Sequence, residues 1–323
     1  MSKCLLVTGA NGYIGSHMSK LLSFKGYRVI GVDNHSTSPA NWVHSYAEKH
    51  SFDIRDTDRL TDLMKKENVE VVLHFAAKAI VSESQQTPFY YYRENIDSSI
   101  SLLEAMNLAN VSKLVFSSTC ATYGIHEEVI SEETEQKPVN TYGLTKKIVE
   151  DLIKDQASKK HIQAVILRYF NVAGCDPHGA IGENHEPETH LIPNLCQSIL
   201  NKGKFCVYGD NFKTKDGSAV RDYIHVEDLV YYHYMALDYM QKNNFEWEAF
   251  NLGSGAGYSV LEVINVFKEI TGNNFSYEIQ LARVGDPACL VANNTKSKSV
   301  FEYQPKYSLK DMIEHTFNYL KSH

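Results

Sequence analysis

Short apolar runs alternate with longer amphipathic stretches through the first half of the chain. "KCLLVT" (3–8), "YRVIGVD" (27–33), "VEVVLHFAA" (69–77), "SKLVFSS" (112–118) and "IQAVILRYF" (162–170) have the apolar density of strands buried on both faces. Between them, residues 13–24, 56–66, 88–108 and 141–158 carry helical spacing. This strand–helix alternation predicts an α/β fold with a Rossmann-type, doubly wound parallel sheet. After about residue 170 the pattern breaks. "FNVAGCDPHGAIGENHEPETHLIP" is weakly periodic and rich in Gly, Pro, His and Glu, which suits either a linker or a functional loop. Mixed short helices and strands follow, such as 191–201, 226–240, 259–271 and 308–321. The expected organisation is a first domain over 1–172, to which the chain returns around 216–250, and a smaller C-terminal α/β domain over 173–323.

The junction of the first strand and first helix reads "LLVTGANGYIGSHM" and sets Gly9, Gly12 and Gly15 at G-x-x-G-x-x-G spacing. A tight turn, close backbone approach to a pyrophosphate and close helix–strand packing each require a residue without a side chain. The helix N-terminus adds free N–H groups and a favourable dipole for an anion. Three glycines alone fit a plain turn equally well, but a strand before and a helix after supply the context the motif needs. Asp33 ends the next strand, roughly 20 residues on, where a carboxylate bonds ribose hydroxyls and repels a 2′-phosphate. No arginine follows it directly, so NAD is favoured over NADP. Tyr13, Ile14 and Asn34 belong to the same expected cradle. Asp53 and Ile54, after the third strand, fit neighbours of an adenine ring and fit equally a strand-end acid and a core aliphatic.

Composition narrows the partners. The net charge of −7 over 323 residues offers no global attraction to nucleic acid or anionic membrane, though a local basic pocket for a small anion is compatible with it. No run approaches the ~18 apolar residues of a membrane span, and the first residues lack a signal-peptide layout. Six cysteines, Cys4, Cys120, Cys175, Cys196, Cys206 and Cys289, form no C-x-x-C pair and read as free thiols of a cytoplasmic protein. His178, His185 and His190 stand among Glu183, Glu186 and Glu188, but none falls in an H-E-x-x-H pattern, and no metal is expected.

"VNTYGLTKKIVEDL" (139–152) places Tyr142 and Lys146 on one helical face. Such a pair is usually ordinary surface. Taken in order, however, "TGANGYIG", "SSTCATYG", Tyr142-x-x-x-Lys146 and "RYFNVAG" resemble the extended short-chain dehydrogenase/reductases over essentially the whole chain. The later "GDNFKTKDGSAVRDYIHVEDL", "NLGSG" and "GDPACLVAN" bring it closest to the UDP-glucose 4-epimerase group. The resemblance implies Tyr142 as general acid–base, Lys146 serving it, and Thr119 relaying or orienting the proton. A free phenol titrates near 10, and a neighbouring ammonium moves it toward neutrality. It implies NAD contacts at Phe75, Ala76, Ala77, Asn95, Ser117 and Tyr169 besides the cradle, Tyr142 and Lys146. Related dehydratases carry a carboxylate immediately after the Thr119 position. Cys120 and Ala121 stand there instead, which disfavours elimination chemistry, and Cys120 without a charged activator reads as packing.

For the substrate, the resemblance implies a UDP-sugar. Asn171, Arg221 and Arg283 would lie at the diphosphate, Asp286 at the uridine ribose, Tyr208 near the uracil, and His190 and Leu191 beside them. Thr119 and Tyr142 would meet the sugar. Arginine suits phosphate because its planar fork meets oxygens in pairs. A salt bridge of Arg221 to adjacent Asp222 and a solvated Arg283 are the plain alternatives. Many family members carry a lysine four residues after the "HFA" phenylalanine. Here Ala79 stands there and Lys78 one position earlier, so the nicotinamide-side contact is open. Leu290 falls where substituent size beside the sugar is limited. The implied activity interconverts UDP-glucose and UDP-galactose. Epimerases of UDP-N-acetylhexosamines or of UDP-xylose and UDP-arabinose share these motifs, and a non-catalytic NAD-sensing protein on the same fold is the reading of another class. The family also implies a homodimer built through 88–108 and 141–158.

Overall fold

In the computed structural model, which describes residues 2–38, 45–126, 129–183, 188–201, 203–272, 275–283 and 286–323, the five apolar runs and two further segments form a seven-stranded sheet. Its strands are β1 (Cys4–Thr8), β2 (Arg28–Asp33), β3 (Glu48–Ser51), β4 (Val71–His74), β5 (Lys113–Thr119), β6 (Gln163–Tyr169) and, far along the chain, Trp247–Leu252. The order runs from Trp247–Leu252 through β6, β5, β4, β1 and β2 to β3. The β1–β2, β1–β4, β2–β3 and β4–β5 pairs are parallel. The direction of winding reverses between β1 and β4, and in open α/β sheets ligands bind beyond the carboxyl ends of the strands at such a reversal.

The helices connecting these strands are α1 (Tyr13–Phe24), α2 (Thr57–Glu67), α3 (Val81–Gln86), α4 (Pro88–Tyr91), α5 (Ser98–Leu108) and α6 (Thr141–Ser158). Leu60 and Met64 of α2, Leu102 and Met106 of α5, and Val149 and Ile153 of α6 pack in one buried cluster with Leu6, Ile30, Val72, Phe116 and Ile166 of the sheet. Local chemistry sets the helix ends. The Asp56 side chain caps α2 by accepting from Arg59 N–H, and Asn68 closes the helix in the left-handed region at φ 51°.

Two segments depart from the periodicity. The strand expected over 69–77 pairs only to His74. Beyond it, Phe75 N–H still reaches the Thr8 carbonyl at 3.2 Å, but the chain then lies against the glycine turn. The helix expected over 88–108 is interrupted by a π-helical turn, Tyr92–Asp97. That wider turn carries buried Asn95. Asn95 Oδ1 accepts from Lys78 N–H at 2.8 Å, and Nδ2 donates to the Lys78 carbonyl and to Thr145 Oγ1, each at 3.0 Å.

The chain divides into two compact units. The first is Met1–Gly124, Gln136–Arg168 and Val230–Phe250; the second is Ile125–Glu135, Tyr169–Leu229 and Asn251–His323. The first thus takes only the later part of the 216–250 stretch, while 216–229 folds with the second. The excursion 125–135 belongs to the second unit because Ile130 bridges to Ala292 and its carbonyl accepts from Asn251 Nδ2. In the second unit lie β7 (Asn171–Ala173), α7 (Leu191–Leu200), β8 (Phe205–Tyr208), β9 (Val220–His225) and α8 (Val226–Lys242), which runs on into the first unit. After the Trp247–Leu252 strand, β10, come β11 (Gly257–Ser259), α9 (Val260–Thr271), β12 (Tyr277–Gln280), β13 (Cys289–Leu290), α10 (Thr295–Phe301) and α11 (Leu309–Ser322). β9 joins β7, β11 and β13, and β8 pairs with β12. Ile192, Leu195, Phe205, Val207, Tyr223, Val263, Phe267, Met312 and Ile313 form this unit's core. Among the described residues no helix is long and apolar enough to cross a membrane.

Replacing Asn95 with Ala leaves the buried Lys78 amide and carbonyl without these partners. Chemical denaturation of the Asn95→Ala protein should show a loss of roughly 2–4 kcal/mol, the cost of stranding buried polar groups; a loss under about 0.5 kcal/mol would mean the clamp contributes nothing.

Candidate active site

The turn after β1 leaves no room for side chains. Gly9 has φ +65°, and a Cβ on it would sit 2.8 Å from Ala76 N. A Cβ on Gly15 would sit 2.1 Å from the Gly9 carbonyl oxygen. α1 can therefore start directly under β1, with Gly12 at its N-cap and Tyr13 and Ile14 in its first turn. Asp33, at the end of β2, is tied to this turn: Oδ2 accepts from Asn11 N–H at 3.0 Å and Oδ1 from His35 N–H at 2.8 Å. A carboxylate has about four acceptor positions, so capacity for ribose hydroxyls remains. The glycine cradle and the acid beside it fit a dinucleotide.

Other expected cofactor residues take specific places. Asn34 Nδ2 donates to Asp53 at 3.0 Å, and the bond from Arg55 holds Asp53 down at about 2. Ile54 packs in the sheet core. Phe75, Ala76 and Ala77 follow β4, and Phe75 lies 4.9 Å from the buried His233 ring, centroid to centroid. Asn95 engages the Lys78 backbone and Thr145, as above. The Lys78 ammonium reaches the Ser36 carbonyl at 3.3 Å and lies over the Tyr90 ring. Tyr169 is the last residue of β6.

The Tyr–Lys face builds against the end of β5. Asn140 caps α6 by accepting from Gly143 N–H at 2.8 Å, and Tyr142 N–H donates to Ser84 Oγ at 3.1 Å. A Cβ on Gly143 would stand 2.3 Å from the Ala121 carbonyl oxygen, so glycine here lets α6 approach the turn that follows Thr119. Tyr142, Lys146 and Thr119 are all buried. Lys146 Nζ donates to the Ser117 carbonyl at 2.8 Å and lies over the Phe116 ring at 4.8 Å. Thr119 Oγ1 accepts from Ala121 N–H at 3.1 Å, which leaves its own proton to donate. The next two positions, Cys120 and Ala121, carry no carboxylate.

Burial governs the charges. It pushes the Lys146 ammonium down to about 7, with the Glu150 carboxylate pulling the other way. Burial, and then the nearby Lys146 charge, hold His74 at about 3. His74 is therefore a neutral link: Thr8 Oγ1 meets Nδ1 at 2.7 Å, and Nε2 meets Ser99 Oγ at 3.1 Å. Sequence reasoning missed His74, Glu150 and Arg168. The signal available was a polar residue on the buried face of an otherwise apolar element.

In the second unit, several residues expected at the nucleotide come together. Arg221 Nη2 meets Asp286 Oδ1 at 2.7 Å, Asp286 N–H donates to the Arg283 carbonyl at 3.2 Å, and the Arg283 guanidinium lies 4.3 Å over the Tyr208 ring. Asn171 pairs in register with Tyr223, and its Nδ2 donates to the Asp222 carbonyl at 3.1 Å. Leu290 pairs in register with Arg221. Asp222 is not the partner of Arg221. Its buried carboxylate accepts from Ser254, Gly255 and Ala292 N–H groups, and a Cβ on Gly253 would collide with it. "NLGSG" thus serves as the carboxylate's cradle.

His190 caps α7 and Leu191 opens it. His190 Nδ1 lies 2.8 Å from Glu183 and 3.0 Å from Glu188; burial opposes charge, but the two carboxylates hold the imidazolium up to about 10. The three are close enough to share a cation, although the imidazole already pairs with both acids. His185 and Glu186 lie outside the described residues.

Residues 5–253 match the NAD dependent epimerase/dehydratase family. The chain is 43% identical over 322 residues to a UDP-glucose 4-epimerase of Lactobacillus helveticus, covering 99% of this chain and 97% of that one. It resembles the structure of UDP-glucose-4-epimerase from Stenotrophomonas maltophila with bound NAD and formylated UDP-arabinopyranose, with TM-score 0.95, 35% identity and coverage of 99% and 98%. It also resembles the Bifidobacterium longum UDP-glucose 4-epimerase in complex with NAD+ and UDP, with TM-score 0.93, 33% identity and coverage of 99% and 98%.

The depressed Lys146 gives a pH signature. An unfolded lysine titrates near 10.5 and native Lys146 at about 7, so between these values the unfolded chain binds the extra proton. Stability of the cofactor-free protein should therefore rise from about pH 7 to 8.5, and Lys146→Met should flatten that rise. Identical slopes in the two proteins, measured by thermal unfolding, would place a full charge on Lys146 throughout.

Proposed function

The chain belongs to the NAD dependent epimerase/dehydratase family, and from that premise we propose that it acts as a UDP-glucose 4-epimerase. It interconverts UDP-glucose and UDP-galactose by oxidation and re-reduction at sugar C4. The carrying observation is the buried Tyr142–Lys146 face set against the end of β5 beside Thr119, with Cys120 and Ala121 where an eliminating enzyme needs an acid.

Tyr142 takes the proton of the sugar 4-hydroxyl, and Thr119, with its own proton to donate, orients that oxygen. The Lys146 ammonium favours the phenolate. Gly9, Gly12, Gly15 and Asp33 would hold NAD, and the chemistry it supplies when bound is reversible hydride transfer at C4. The 4-keto sugar then turns its other face to the same residues, and Tyr142 returns the proton. Such a site needs a firmly held nucleotide and a loosely held sugar. Arg221 and Arg283 meet phosphate oxygens in this reading, Arg221 giving up its bond to Asp286, which turns to the uridine ribose. Asn171, Tyr208, His190 and Leu191 border the nucleotide, and Leu290 limits substituent size. The first unit carries the cofactor and the second the UDP portion.

The protein acts as a homodimer through 88–108 and 141–158. Exposed Phe89, Ile100 and Leu108 and half-buried Leu144, Ile148 and Leu152 support that pairing. A cytoplasmic setting suits its six free cysteines.

An assay coupled to UDP-glucose formation should detect turnover of UDP-galactose, and Tyr142→Phe should lower kcat by about 10²–10⁴-fold. Undiminished turnover in that variant would sink the mechanism. Faster turnover of UDP-N-acetylhexosamines or UDP-pentoses would reassign the substrate. Acid-denatured protein should release close to one NAD per chain.

A further inference from the structure

A carboxylate is buried one helical turn beyond Lys146, and the proton transfer above does not use it. Glu150 continues the face of α6 on which Tyr142 and Lys146 lie, and it is inaccessible to solvent. Its oxygens accept from Arg168 Nε at 3.0 and 3.2 Å and from Arg168 Nη2 at 2.6 Å. They also accept from Ser118 Oγ at 2.5 Å, Gln136 Nε2 at 3.0 Å and Lys154 Nζ at 3.3 Å. Arg168 continues through Nη1 to the Tyr123 hydroxyl at 2.8 Å. One anion thus gathers β5, the turn after it, the segment before α6, α6 itself and β6.

Stability alone does not explain such a pair, since apolar residues of similar volume would often serve as well or better. Its placement points to the proton-transfer centre. Ser118, which bonds Glu150, stands between Ser117, whose carbonyl receives Lys146, and Thr119. α6 therefore grips the end of β5 by two side chains one turn apart, and a slip of the helix along the strand would break both bonds. Tyr123, held by Arg168, closes the short turn that starts directly after Thr119.

Charge points the same way. Around Lys146, β4 contributes His74, which stays neutral; β5 contributes the Ser117 carbonyl and the Phe116 ring; α6 contributes Tyr142 and Glu150. Around Glu150 stand Arg168 from β6, Lys154 from α6, Ser118 from β5 and Gln136. Burial opposes ionisation of Glu150, but Arg168 keeps its carboxyl below the ordinary range.

We propose that Glu150, anchored by Arg168, is a positioning residue that locks the Tyr142–Lys146 face of α6 to Thr119 and supplies the negative charge facing the Lys146 ammonium. The inference rests on the epimerase reading. Activity of the wild-type protein on UDP-galactose tests that reading, and the variants below test this one by comparison with it.

Glu150→Gln alone strands Arg168 in the interior, so the informative protein is the charge-neutral pair Glu150→Gln with Arg168→Gln. It should melt cooperatively and retain NAD. Its kcat should fall by about 10²-fold, the effect of a roughly 1 Å misplacement of reacting groups, with KM for UDP-galactose changed less than kcat. The pH profile of kcat should also narrow from its alkaline side, because Lys146 loses its proton at lower pH without Glu150. A folded, NAD-loaded double variant with wild-type kcat and profile would overturn the proposal. Ser118→Ala provides the decision if the pair does not fold. It removes only the tie to the strand end and should lower kcat by about tenfold at unchanged KM, whereas wild-type kcat would overturn the proposal equally.

Discussion

Burial of the Lys146 ammonium is the constraint around which the first unit is arranged. A charge removed from water needs compensation from its immediate surroundings, and here that compensation has three parts. The Ser117 carbonyl accepts a hydrogen bond, the Phe116 ring offers its negative face, and Glu150 stands one turn along the same helix. Each part fixes a neighbour. The carbonyl lies one residue beyond the last β4–β5 pair, His74 with Phe116, and the approach is close because Gly143 carries no side chain against Ala121. His74 can lie nearby only as a neutral ring, which its bonds to Thr8 and Ser99 accommodate. Thr8 in turn immediately precedes the glycine turn. The ammonium thus lies beside a hydrogen-bonded link, Ser99 to His74 to Thr8, that leads to the cradle expected to hold the cofactor.

The second unit solves a different electrostatic problem. Its basic side chains are paired at or near the surface rather than buried alone: Arg221 with Asp286 and Arg283 with the face of Tyr208. Pairs of this kind are exchangeable, since a phosphate can replace a carboxylate at a guanidinium at small net cost. Asp222 is of the opposite sort. Ringed by backbone N–H groups, it holds the "NLGSG" loop against β9 and is a fixture of the unit. Firm strands bearing exchangeable pairs suit a site that holds a nucleotide and releases it.

Much of this was legible in the chain. β1 is buried at every position, so its apolar run admitted one reading, and the glycines after it carry their geometry in their identity. Tyr142 and Lys146 were visible because helical spacing is local. Partners that depend on tertiary pairing were not. Arg221 has an acid beside it in sequence yet meets Asp286, because alternation along β9 sends Arg221 and Asp222 to opposite faces. Glu150 lies in the visible helical register, but nothing in the sequence says that β6 delivers Arg168 to it. The interrupted helix at 92–97 escaped for a similar reason, since it goes with the tertiary clamp on Lys78 made by Asn95.

That π turn also bears on how the chain can change over time. It accommodates an extra residue in one turn, so deleting a single residue within Tyr92–Asp97 would restore a regular helix with its flanks near their present register and remove the widening that presents Asn95. A substitution there alters one contact, whereas a deletion would swing Asn95 away from Lys78 and Thr145 together. Loop length can drift by small steps, but length here has two discrete settings. Descendants of this sequence can vary residue by residue along the segment, while its length stays inherited as a unit with the clamp.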